Sequence, residues 1–207
     1  MSTDAFTLTL SFSLFAFVAS ATPGPTNVLA LNNGSRFGTL ATLPFVVGGS
    51  FGASAILLLT ASGLAGVITD YPLLRTLLAW SGALWLSWMA WKLFHAPGVS
   101  GEAQHGAPRV RWHHGALMQL VNPKTWMMAL TASALFAPAG EAGHTANHSH
   151  SLMLALIFFL VTIPCMAAWA WLGEGSGRLL KTEAQRRLLN RVLAVLLGVS
   201  VWVALLS

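Results

Sequence analysis

Apolar residues fill this 207-residue chain in six long blocks, over residues 5–31, 38–69, 72–92, 112–137, 151–172 and 188–206. About 20 apolar residues in a helix cross about 30 Å of hydrocarbon, so each block predicts one membrane-spanning helix. The second block holds no charge between Arg36 and Asp70 and is longer than one span needs, which predicts tilt or an extended end. Pro72 suits the first turn of the third helix, and Pro164 predicts a kink in the fifth. Residues 96–108 are rich in Gly, Pro and polar side chains and read as the main loop, while residues 139–150 form a shorter polar one.

Two blocks are interrupted. In the first, Thr22-Pro23-Gly24-Pro25-Thr26-Asn27 closes an apolar run, and in the fourth, Asn122-Pro123-Lys124 sits mid-block. A proline lacks the N–H and blocks the carbonyl four residues earlier, here Ala19 for Pro23, Ala21 for Pro25 and Gln119 for Pro123. Broken backbone is tolerated at membrane depth only where protein or a water-filled cavity covers it. Paired interruptions in corresponding helices of two halves point to a transporter binding site.

Composition supports the membrane reading, at 55% hydrophobic and only 8% charged, against about 25% charged in soluble domains. The net charge of +5 does not point to nucleic acid, because the basic residues lie between blocks. Arg36, Lys92, Arg109, Arg111, Arg178, Lys181, Arg186, Arg187 and Arg191 fall at one set of ends, and only Arg75 at the other. By the positive-inside bias, both termini face the periplasm or exterior. Trp88, Trp91, Trp112, Trp169 and Trp171 fall near the same inner ends, as an aromatic belt would. No Lys or Arg precedes the first block, so it is read as a retained span rather than a cleaved signal.

The expected fold is thus an all-α integral membrane protein of six transmembrane helices. Residues 1–95 form a first three-helix half, 96–111 a cytoplasmic loop and 112–207 a second half. An odd number of spans per half inverts the second relative to the first, and each half opens with its proline-broken helix.

Lys124 lies thirteen residues into its block, roughly 18 Å from the end at about 1.5 Å per residue. At that depth an ammonium costs at least about 2.5–3.5 kcal/mol, so it should face a cavity. Lysine offers a carboxylate-binding cation and an exchangeable proton, and Asn122 adds amide groups. Gly24 permits close backbone approach. A helix restarting near Thr26 and Asn27 presents unsatisfied N–H groups to an anion, and the carbonyl freed at Gln119 can accept from a ligand ammonium. The expected binding residues are therefore Thr22, Pro23, Gly24, Pro25, Thr26, Asn27, Gln119, Asn122, Pro123 and Lys124. For Asn32 and Asn33, capping and solvation at the inner end are preferred. Gly48 and Gly52 read as helix packing.

Thr22-Pro23-Gly24-Pro25 followed by Asn, with Asn122-Pro123-Lys124 in the fourth block, resembles the lysine exporter (LysE/RhtB) family of bacterial inner-membrane amino-acid efflux proteins. The likeness covers nearly the whole chain, including residues 27–38 and 122–130. It implies export of a small amino acid or derivative (homoserine, threonine, cysteine or leucine), by proton exchange. Many members place Asn directly after the second proline, whereas Thr26 intervenes here.

Two other function classes were weighed. His144, His148 and His150, with His105, His113 and His114, raise a divalent-metal permease, although the loop is Gly/Ala-rich and lacks Cys. A membrane-embedded enzyme would need a base at depth beside Ser11, Ser13 or Ser54, and none is there. Cys165 is the only cysteine, which excludes an intrachain disulfide. No cofactor is expected. The partners are a small-molecule substrate and lipid, and a homo-oligomer stays open.

Overall fold

The computed structural model describes residues 3–64, 71–96, 111–136, 148–180 and 182–206, and among them the chain is helical throughout with no strand. The helices are α1 (Thr3–Ala21), α2 (Pro25–Phe37), α3 (Thr39–Leu59), α4 (Pro72–Phe94), α5 (Trp112–Leu120), α6 (Pro123–Phe136), α7 (His148–Leu179) and α8 (Glu183–Leu206). A π-helical turn, Thr60–Leu64, continues α3.

Local chemistry explains the boundaries that matter. Pro23 ends α1, and Pro25 opens α2 at its first position, where a missing N–H costs nothing. The two helices meet at 57°. α2 stops at Gly38, whose φ of +83° is one that glycine adopts without strain. α3 then starts immediately, its Thr39 N–H and hydroxyl both donating to Glu174 Oε2 at 2.8 and 2.6 Å. A carboxylate there complements the helix dipole and ties the start of α3 to α7. α5 and α6 are the halves of the fourth block, of 9 and 14 residues. α7 runs for 32 residues and passes through Pro164 as continuous helix.

Two helices, Thr39–Leu64 and His148–Ser176, are each long and apolar enough to cross a membrane, and the bent α1–α2 pair makes a third if it is one span. This is a helical membrane protein. α3 lies against α5, and α2 against α7, at backbone contact distance. A Cβ on Gly48 would stand 1.7 Å from the Trp112 carbonyl oxygen, and one on Gly115 2.1 Å from that of Phe45. Gly34 and Gly173 pack reciprocally, with a Cβ on either falling 2.0 Å from the Ala170 or Leu31 oxygen. Small residues serve this role in membranes, where burial from water supplies no drive between helices. Gly48 and Gly52 are thus packing residues, Gly52 lying against Ala116.

Side chains gather into two cores. One joins Val28, Phe45, Leu86, Met166 and Leu197; the other joins Phe12, Ala53, Ile56, Leu154 and Phe158. The broken ends of α1, α2, α5 and α6 lie where these clusters abut.

Candidate functional site

At the first break every carbonyl released by the prolines finds a donor. The Ala19 oxygen accepts the Thr22 hydroxyl at 3.0 Å, and the Ala21 oxygen accepts the Trp169 indole N–H at 3.2 Å. Asn27 Nδ2 donates to the Ser20 and Thr22 oxygens at 2.7 and 2.9 Å. Asn27 therefore closes the break from within, and Trp169 closes it from α7. Trp88, Trp91, Trp112 and Trp171 are exposed.

The second break differs from the expectation at Gln119. A tight turn brings the Asn122 N–H to the Gln119 carbonyl at 3.3 Å, so that oxygen already holds one donor. The Gln119 side chain takes part instead. Its Oε1 accepts Thr125 Oγ1 at 2.6 Å, Asn122 Nδ2 at 3.2 Å and Thr26 Oγ1 at 3.4 Å, while its Nε2 donates to the Gly49 oxygen at 3.0 Å. Asn122 Nδ2 also donates to Thr26 Oγ1 at 3.0 Å. These buried amides and hydroxyls bond one another across the breaks, which is how buried polar groups avoid a desolvation cost.

Lys124 completes the junction. Its Nζ donates to the Thr22 carbonyl and hydroxyl, both at 2.8 Å, and to the Pro23 carbonyl at 3.4 Å. All three partners are neutral, and among the described residues no carboxylate lies within ion-pair distance of it; the ion pair seen there is Arg187 with Glu183. Gly24 lets the lysine stem pass, since a Cβ on it would come 2.7 Å from Lys124 Cδ. Among the described residues no side chain caps the start of α2, and Thr26 and Asn27 of its first turn border the same junction.

A partly enclosed cleft opens here. Of the expected residues, Gly24, Thr26, Asn27, Gln119, Asn122 and Lys124 line it. Thr22, Pro23, Pro25 and Pro123 are outside the lining and shape the backbone behind it; Thr22 and Pro23 are exposed at its edge. Sequence reasoning missed Ser20, Thr125 and Thr162 among the polar lining and Met128, Phe158 and Met166 among the apolar. Ser20 and Thr125 lie within three residues of a break proline, a signal that was there to use. Asn32 is buried at 8% exposure, not solvated, and its Oδ1 has no hydrogen-bond partner among the described residues.

His105 and His144 lie outside the described residues. His150 Nε2 sits 2.8 Å from the Phe136 oxygen, and His114 Nδ1 accepts the Arg111 N–H at 3.1 Å. Among the described residues no three His, Cys, Asp or Glu side chains gather in a metal-holding group.

The chain is 30% identical over 191 residues to the cysteine/O-acetylserine efflux protein of Escherichia coli strain K12, covering 92% of this chain and 94% of that one. The protein of that name from Shigella sonnei strain Ss046 matches with the same identity and coverage. No solved structure matches. The family model for the LysE type translocator matches residues 17–206, from just before the first break to the end of α8, and the chain belongs to that family.

Proposed function

We propose that this chain is an inner-membrane secondary carrier that exports a small amino acid or derivative, binding it in the cleft between the two breaks. The observation that carries the reading is the Lys124 ammonium, held only by neutral oxygens of Thr22 and Pro23 beside the uncapped start of α2. A carboxylate is a stronger acceptor for an ammonium than a carbonyl is. A substrate carboxylate therefore takes Lys124 and the N–H groups of α2, and the oxygens that Lys124 leaves behind accept the substrate's own ammonium. The exchange matches both charged ends of a zwitterion.

Among the described residues Lys124 is the one ionisable group lining the cleft, so proton antiport, on this reading, runs through its ammonium or through the substrate. The architecture proposed around it is six spans, with 1–95 and 112–207 as inverted halves, 96–111 in the cytoplasm and both termini outside. The matched relatives' names make cysteine and O-acetylserine the first candidates.

Overexpression in a bacterium challenged with toxic levels of single amino acids and analogues tests the function. Protection against one chemical class is the expected result, and no protection against any of them contradicts it.

A further inference from the structure

The amide cluster of Gln119, Asn122, Thr26 and Thr125 is held by bonds among its members and to the Gly49 oxygen and Lys124 N–H, but a second polar pair in the cleft has a donor to spare. Ser20 Oγ on α1 and Thr162 Oγ1 on α7 lie 3.0 Å apart, and both residues are buried. Two hydroxyls carry two protons, and the bond between them uses one. Neither hydroxyl makes any other hydrogen bond among the described residues, so one O–H donor is left for an acceptor that these residues do not supply. A buried donor without a partner is costly, and this one borders the cleft together with Met128, Phe158 and Met166. Among the described residues no carboxylate lines the cleft to receive a cationic side chain.

We propose that the Ser20–Thr162 hydroxyl pair reads the substrate's side chain, favouring short uncharged side chains that carry an oxygen acceptor, hydroxyl or O-acyl, over apolar isosteres and cationic ones. The inference rests on the cleft being the substrate site. With the substrate's two charged ends at Lys124 and the breaks, its side chain is directed to the remaining polar wall, and this pair supplies that wall from α1 and α7. A Ser–Thr pair between membrane helices also serves as packing glue, so the test reads selectivity rather than activity alone.

The full chain, purified into proteoliposomes, is assayed for transport of two isosteric pairs, threonine with valine and serine with 2-aminobutyrate. The unmodified protein favours the hydroxyl member of each pair. Thr162→Val and Ser20→Ala each lower that preference roughly three- to tenfold, the worth of one hydrogen bond, while Thr162→Ser retains it. If a variant fails to insert, the other carries the test. A preference unchanged in both, or absent from the unmodified protein, overturns this inference and leaves the exporter reading standing. Transport of no amino acid at all by the unmodified protein overturns both.

Discussion

The Lys124 ammonium donates to the Thr22 carbonyl oxygen across 2.8 Å, although 102 positions separate the two residues in the chain. The contact joins the break between α1 and α2 to the break between α5 and α6. The ammonium's hydrogen-bond partners among the described residues are neutral oxygens, and on the proposed reading a substrate carboxylate takes their place.

Gly24 sets the clearance for that contact. Gly24→Ala places a methyl 2.7 Å from Lys124 Cδ and 3.1 Å from its Nζ, so the lysine stem must swing away. Its backbone φ of −165° is open to any residue, and the fold is expected to tolerate the change at about 1 kcal/mol or less. Transport is expected to fall severalfold at near-normal membrane levels, measured as initial rate per amount of inserted protein.

Asn27 carries a structural duty at the first break. Asn27→Ala removes the donor for the buried Ser20 oxygen and one of the two donors of the Thr22 oxygen, which keeps Lys124 Nζ, leaving one buried acceptor uncovered at about 1–3 kcal/mol. The variant should melt several degrees lower in detergent, read by the thermal unfolding midpoint. Trp169→Phe, which uncovers the Ala21 oxygen alone, should show a smaller drop in the same assay.

Three spans per half place both chain ends on the same side. Reporter enzymes active only outside the cytoplasm, fused to either end, should both be active. Activity at one end alone would exclude the inverted three-plus-three arrangement.

The breaks themselves were legible because proline acts locally: Pro23, Pro25 and Pro123 forbid particular hydrogen bonds whatever the rest of the chain does. Lys124 was legible because a charge in an apolar block is too costly to be incidental. What answered the breaks was not legible. Trp169 reaches Ala21 from 148 residues away, and Gln119 reaches Gly49 from 70; such pairings depend on tertiary approach, which residue spacing does not encode. The Gln119 carbonyl was expected to be free because an α-helical ladder was assumed up to Pro123, whereas the turn at Val121 and Asn122 closes on it. Thr162 carried no local mark beyond its place two residues before Pro164. The main loop and the histidine-bearing segment at 137–147 lie outside the described residues.

Replacing the ammonium that bridges the two breaks is the most direct trial of the mechanism. Lys124→Met keeps the length and apolar stem of the side chain and removes only the charge and its donors. Charge-assisted hydrogen bonds to a carboxylate are worth roughly 1.5–3 kcal/mol, so export of O-acetylserine or cysteine from proteoliposomes, normalised to inserted protein, should fall at least about tenfold. Undiminished export by that variant would show that the substrate carboxylate is held elsewhere.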